Sequence, residues 1–552
     1  MSITATDFNL KKLINSLDWK LLLFLVLFLN VKLAVKIPAI VIIYLLQTNF
    51  RFKFSFKNSR LPLFYPLVII LAIADFFINR NYSDHNYIIA LLTGIAFWLL
   101  CILAVHQVKL SVENNEPSVI HRTILVFFIL NAVISLLNLA AIVWEIHAIN
   151  PYTYQGQYQK YFISTGDYIK GLTFDTSTTN AVLNAFGVIY FLTRKNAIMA
   201  LTCMAVMLLT ASNFTNMLLL FILGLLFIYR SSKDQKSLVT ICLVFLVVFM
   251  AKISPQNNDY VVETFNNIIH QKNMASGPPV AVIPITQRPD NTLNPEEKKE
   301  KIATLYIDSL HNVNAKLTPP APVQQNKVLV KTDAGRILVP KPDINSAPYQ
   351  SLINTPEDQM PLVKFINNNR AELPVSGKPF HWVSTPGKVI SMRQTVNFFK
   401  AYPTKILTGA GMGNFSSKLA FKTSGLGITG GYPAKYAYIN HDFLINHLDI
   451  YLNYFSERAG YHSLTNSPFS VYDQVFAEYG ILGLLFFGLY YLGFFAKNIK
   501  LLTYGLPILV FITAVLFIDY WFEQLSILVF FELLLLLDIK ESSAKINLQY
   551  GH

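Results

Sequence analysis

Residues 238–258 read LVTICLVFLVVFMAKISPQNN, and the change of character inside this stretch decides how the chain is organised. An apolar run ends at Lys252, and from Ser254 to Ser467 the sequence is polar and repeatedly interrupted by proline. Apolar segments fill the sequence before this stretch, and they return after it, from Val471 onward. The order is therefore a block of membrane segments, one long extramembranous region and a second membrane block. Loops held on a rigid scaffold are where binding and chemistry concentrate, so function is sought in residues 254–467 and at their membrane edges.

Composition supports this reading. Of 552 residues, 53% are hydrophobic and 14% charged, and no soluble core would hide so many long apolar runs. The net charge of +13 would point to nucleic acid in a soluble protein. Here much of the excess sits in short turns between apolar segments, which orients membrane proteins, and no stacking platform or reading helix accompanies it. Nucleic acid is therefore not expected as a partner. Cys101, Cys203 and Cys242 all lie within apolar segments, which argues against disulfides and a structural zinc site. The N-terminus lacks the small-residue cleavage site of a signal peptide. Phe8, Leu10, Leu13, Ile14 and Leu17 recur near helical spacing, so residues 1–19 read as an amphipathic segment along the cytoplasmic membrane surface.

The expected fold class is an all-α polytopic membrane protein with about 12 transmembrane helices and one large loop on the outer side between helices 9 and 10. The apolar segments fall near residues 20–35, 37–48, 62–78, 87–106, 122–147, 180–193, 197–211, 215–229, 238–252, 471–496, 500–517 and 524–538. With a cytoplasmic N-terminus, alternation places Arg51, Lys53, Lys57 and Arg60, then Arg194 and Lys195, then Arg230, Lys233 and Lys236, then Lys497 and Lys500 inside. Short basic loops belong on that side. The same parity puts the Asp519/Glu523 turn outside and the 540–552 tail inside. Lys32 and Lys36 fall outside, against the rule. One broken span over 20–48 would relieve this with eleven crossings, whereas a helix break at Ile37-Pro38 keeps twelve.

The domains follow as 20–252 for helices 1–9, 253–380 for a Pro-rich insertion, 381–469 for an ordered loop region and 470–539 for helices 10–12. Residues 277–369 are rich in Pro, Asn, Gln, Lys and Glu and bury little apolar surface, so they read as a tether, a partly disordered insertion or a docking segment for an envelope partner. Within them, Lys327–Pro340 alternates around Asp333-Ala334-Gly335 and suits an isolated hairpin. From His381 onward aromatic residues and glycines return, as expected of a segment packed on the membrane block.

Two motifs there carry potential chemistry. Thr408-Gly-Ala-Gly-Met-Gly-Asn-Phe415 sets Gly409, Gly411 and Gly413 on alternate positions, so the backbone can approach a partner closely and offer amides to an anion; the same pattern also suits a simple tight turn. It matches neither a dinucleotide fingerprint nor a P-loop. At the far edge of the loop, Pro468 suits a helix entry, with Asp473, Gln474 and Glu478 in the first turns. Carboxylates at that depth serve either structural hydrogen bonding or a substrate. Gly480 and Gly483 allow close helix packing. His462 is a possible base, and Arg393 lies on a helix-patterned stretch, 389–401. His441, Asp442, His447 and Asp449 are weak as a metal set, because the segment between them is apolar.

This arrangement resembles the O-antigen ligase and O-antigen polymerase family of bacterial inner-membrane glycosyltransferases. Phe174-Asp-Thr-Ser-Thr-Thr-Asn180-Ala181 is similar to the segment leading that family's sixth span, residues 408–415 to its glycine turn, and Glu478-Tyr-Gly480-Ile-Leu-Gly483 to the end of its signature. The chain departs from the family twice. The signature's opening histidine falls here on Phe469-Ser470, and a Ser-Arg turn between the seventh and eighth spans reads Ala211-Ser212-Asn213-Phe214.

The resemblance makes the large loop between helices 9 and 10 a periplasmic loop, and it implies transfer of a glycan from undecaprenyl diphosphate to an acceptor hydroxyl at the periplasmic face, with a polymerase favoured over a core ligase. That chemistry needs cations or amides for the departing diphosphate and a group to orient the hydroxyl, and no metal or other cofactor. It implies His462, Glu478 and Asp473 as catalytic groups, and Arg393, Arg458, Lys32 and Lys36 as diphosphate ligands. The expected partners are a lipid-linked glycan and membrane lipids. The rival readings are a catalytically degenerate member acting as a subunit of an envelope complex, and a transporter, which the paucity of charges within the spans disfavours.

Overall fold

The computed structural model describes residues 16–29, 33–46, 61–78, 84–153, 165–174, 176–229, 232–254, 330–331, 337–338, 386–426, 431–448, 450–451 and 467–550. His462, Arg458, Lys32, the N-terminal segment before Ser16, and residues 255–380 of the Pro-rich insertion except the four strand residues lie outside them.

A helix lies on each of the apolar segments. In chain order the first nine are α1 (Trp19–Phe28), α2 (Leu33–Leu46), α3 (Phe64–Ile78), α4 (His85–Asn114), α5 (Pro117–Ile146), α6 (Ser177–Thr193), α7 (Ala197–Leu209), α8 (Asn213–Tyr229) and α9 (Lys233–Val248). Their starts are written locally. Asp18 accepts the amide of Leu21, Asp84 those of Asn86 and Tyr87, and Ser232 and Gln235 form a reciprocal capping box at α9. Pro117 opens α5, where its missing N–H costs nothing. Among the described residues, four helices are long and apolar enough to cross a membrane: His85–Asn114, Pro117–Ile146, Lys233–Ile253 and Val471–Ala496.

Three boundaries differ from the sequence reading. Lys20 Nζ donates to the Leu46 carbonyl at 2.9 Å, so the start of α1 lies beside the end of α2 and the two form an antiparallel hairpin. α1 ends at Phe28 and α2 begins at Leu33, and Pro38 sits inside α2 in its second turn, where it removes one bond of the hydrogen-bond ladder without ending the helix. α4 runs on from the expected end at His106 to Asn114, carried by an i,i+4 pair between Lys109 and Glu113 at 3.3 Å.

Past the ninth segment, Val330–Lys331 (β1) and Ile337–Leu338 (β2) pair antiparallel, as the alternation around Asp333-Ala334-Gly335 suggested. The loop region then supplies α10 (Gly387–Ala401), α11 (Lys418–Thr423) and α12 (His441–Asn446). The closing block is α13 (Val471–Phe486, continued by a π-turn over Phe487–Leu492 to Ala496), α14 (Gly505–Val515), the short α15 (Trp521–Gln524) and α16 (Ser526–Tyr550). Residues 540–550, expected as a tail, continue α16, and Lys540 Nζ binds the carbonyls of Val112 and Asn115, each at 2.7 Å.

The buried core runs through both blocks. Phe64 and Tyr65 of α3 meet Trp98 of α4, Tyr491 beyond α13 and Phe522 of α15 at centroid separations of 5.2–6.2 Å. This aromatic floor ties segments far apart in sequence together beneath the loop region.

Candidate functional site

The two motifs meet. Gly409, Gly411 and Gly413 have φ of 84°, 91° and 72°, and the turn they make lies against α13. The Ala410 amide donates to the Ala477 carbonyl at 2.8 Å, and the Gly411 amide to the Glu478 carbonyl at 3.1 Å. Those carbonyls are free to accept because α13 breaks at Gly480, whose φ of 63° and ψ of −159° are non-helical. A Cβ at Gly480 would lie 2.5 Å from the backbone of Leu407, and one at Gly409 2.3 Å from that of Glu478. Gly480 therefore serves as a break and a point of close approach, rather than as one contact along a continuous helix.

The amides of the turn do find a partner, and it is an internal carboxyl group. The carboxylate of Glu478 is buried and accepts from the amide of Phe415 at 3.3 Å, with the amides of Gly413 and Asn414 and the hydroxyl of Ser417 around it. Successive amides of a glycine-rich turn form such a cradle.

One helical turn earlier, buried Asp473 accepts hydroxyls of Ser391 and, at 2.8 Å, Thr395 from α10, and of Ser416 at 2.9 Å. Ser391 and Thr395 face inward because they are four apart on α10. Arg393, two positions from each, is exposed on the other side, so the structure does not bring it to these carboxylates. Lys388, on the same helix, is half-buried and faces inward instead. Its Nζ donates to Ser467 Oγ at 3.0 Å, to the Ile518 carbonyl at 2.8 Å and to the Phe469 carbonyl. Burial lowers its pKa to about 7, against the pull of Asp519 and Asp473.

A third carboxylate, Glu523 of α15, completes the cluster. Gln474 Nε2 donates to Glu523 Oε1 at 2.8 Å, and the Leu419 amide to its Oε2 at 3.1 Å. Burial, followed by the nearby charge of Glu478, pushes its pKa up to about 8, opposed by Lys418 and Lys422. Those lysines are four apart on α11 and half-buried, and burial and then Lys418 lower the pKa of Lys422. Lys36 reaches the same end of the molecule: its Nζ donates to the Gln524 carbonyl and lies 5.1 Å from the Phe28 ring centre.

Of the residues singled out from sequence, Asp473, Glu478, the three glycines and Lys36 thus converge around α13 and α15, Arg393 stands apart, and His462, Arg458 and Lys32 lie outside the described residues. Glu523, Lys388, Lys418 and Lys422 were missed as site residues. The first had been read only as part of an outer turn, though a carboxylate beside an apolar segment is itself a signal. Asn180, in the family-like segment 174–181, centres a buried amide network with Asn131 at 2.9 Å and Ser135 at 3.1 Å, which fastens α6 to α5. His447 is sealed between the Phe415 and Phe421 rings, with burial lowering its pKa to about 3, and Asp442 pairs with Lys405 at 2.6 Å. Among the described residues, no group of three or more His, Cys, Asp or Glu side chains is placed to hold a metal. Compared with known proteins, the chain matches no family model, no curated protein and no solved structure.

Proposed function

We propose that this chain is a glycosyltransferase of the O-antigen ligase/polymerase type, a multi-pass protein of the bacterial inner membrane that moves a glycan from undecaprenyl diphosphate to an acceptor hydroxyl at the periplasmic face. The observation that carries the proposal is the interlock of residues 408–415 with Glu478-Tyr-Gly480, because these are two of the three segments in which the chain resembles that family and they lie against each other through backbone bonds. Orientation follows from charge. Arg194, Glu541 and Lys540 with its carbonyl partners gather at the end of the bundle away from the glycine turn. With basic turns inside, both termini are cytoplasmic and the carboxylate cluster faces the periplasm.

In this reading the acceptor oxygen attacks the anomeric carbon, the bond to diphosphate breaks, and the departing electron pair stays on the diphosphate. The hydroxyl proton passes to Glu523, which accepts it once ionised. Lys418 and Lys422 take the diphosphate, the role first given to Arg393, Arg458, Lys32 and Lys36, and Lys36 supports the backbone beside Glu523. Asp473 and Glu478, held by hydroxyls and amides, position α10 and the glycine turn.

That same saturation favours a second reading, a catalytically inactive subunit of an envelope complex. Incubating the protein in nanodiscs with lipid-linked glycans, and following glycan length together with carrier release, separates the two. Glycan transfer with carrier release that disappears in Glu523→Gln supports the enzyme, whereas absence of turnover beside an active relative supports the subunit.

A further inference from the structure

A cavity of about 500 Å³ lies in the half of the molecule opposite the glycine turn, between the end of α6, α8, the start of α9 and the start of α14. Its walls are mainly apolar, with Ile222, Leu225 and Leu226 facing Leu506, Pro507 and Val510. The polar side chains on its wall are already engaged. Gln235 Nε2 donates to the carbonyls of Leu192 and Thr193 at 3.2 and 3.3 Å, and its Oε1 accepts the Ser232 amide at 2.9 Å. Thr193 Oγ1 donates to the Ile189 carbonyl at 2.9 Å, and Thr503 Oγ1 to Asp538 at 2.6 Å. A sugar or nucleotide would find few hydrogen-bond partners here, and removing most of its polar groups from water would be uncompensated. A hydrocarbon chain meets no such penalty, and the volume lies within the range of about 300–1,000 Å³ usual for small-molecule sites.

The rim is basic. Arg194 and Lys195 follow Thr193 directly and are exposed, and Lys233 and Lys236 flank Gln235. On these stretches the opposing carboxylate is Asp234, while Glu541 is already bound by His121 at 2.5 Å and by Arg194 at 3.3 Å. An apolar slot beneath a positive rim suits an anionic amphiphile lying with its chain between helices and its head group at the membrane surface.

We infer that this cavity holds one acyl chain of an anionic glycerophospholipid, whose phosphate is met by Lys195, Lys233 and Lys236. The site is separate from the carboxylate cluster and does not depend on the reaction assigned to that cluster.

The test is native mass spectrometry of the delipidated full chain, titrated with phosphatidylglycerol, with phosphatidylcholine of the same chains, and with the free fatty acid. Preferential retention of phosphatidylglycerol is expected. Leu225→Trp, which fills the slot, should abolish it, and Val510→Trp at the exposed rim repeats the test should Leu225→Trp fail to fold. The double variant Lys195→Gln, Lys233→Gln should weaken phosphatidylglycerol binding by about tenfold or more while leaving phosphatidylcholine unchanged. Equal retention of the two phospholipids, preference for the fatty acid, or full binding by both tryptophan variants would overturn the inference.

Discussion

At the scale of single residues, two half-buried ionisable groups with opposite chemistry make the sharpest statements. Lys388 has a folded pKa of about 7, below its ordinary 10.5, so between these values the unfolded chain binds a proton that the folded chain does not. Stability therefore rises with pH over that window, by about 1.4 kcal/mol per pH unit at most. Glu523 behaves in the reverse sense. Its pKa is raised from 4.5 to about 8, the folded state holds the extra proton between them, and stability falls as pH rises. The windows overlap only near neutrality. Thermal unfolding of the solubilised protein from pH 8 to 10 should show a positive slope that Lys388→Met removes, and from pH 5 to 7 a negative contribution that Glu523→Gln removes. If the chain transfers glycans as proposed, Glu523→Gln should lower transfer about 100-fold without loss of folded protein, and wild-type transfer should rise with pH through about 8. Unchanged transfer in that variant would move the proton acceptor elsewhere.

At the scale of elements, the break in α13 decides the site. Gly480 occupies a backbone region that other residues reach only with strain, and its missing Cβ leaves room for Leu407. Gly480→Ala should cost more than about 3 kcal/mol and separate the glycine turn from Glu478. Gly224, inside α8, provides the contrast: a Cβ there meets nothing within 4 Å, so Gly224→Ala should be neutral or stabilising by about 0.4–1 kcal/mol. Comparable melting of the two variants would deny Gly480 its special role. The motif Glu-Tyr-Gly-Ile-Leu-Gly was legible as a glycine-bearing helix entry, but its break was not. A continuous helix satisfies the local pattern equally well, and the break becomes favourable because the amides of Ala410 and Gly411 bind the carbonyls it releases and the Leu407 carbonyl takes the Leu482 amide at 3.1 Å.

At the scale of the whole molecule, Asp473, Glu478 and Glu523 gather beneath the glycine turn, while Arg194 and Lys540 lie at the far end. Cys101, Cys203 and Cys242 are all buried, which leaves a quiet background for labelling. In intact cells a membrane-impermeant maleimide should label Leu407→Cys, and should label Lys233→Cys only after the membrane is opened. The opposite pattern would invert the orientation proposed for the chain.

Long apolar runs, capping residues and the polar gap from Ser254 to Ser467 were determined by sequence alone, because period, caps and hydropathy act over a few residues at a time. The same local signals placed the glycine turn and the 473–478 carboxylates at the edges of the loop. Tertiary structure decided which of those groups meet. Arg393 carries the charge expected of a ligand for diphosphate, but its position on α10 turns it away, whereas Ser391 and Thr395 reach Asp473. Glu523 and the lysines of α11 come together only after α15 folds back over the aromatic floor, and the amides offered by the glycine turn are taken by a carboxylate 63 positions further along the chain. Encounters at that separation depend on how helices pack and where the backbone can release its hydrogen bonds, and neither is written in any short stretch of residues.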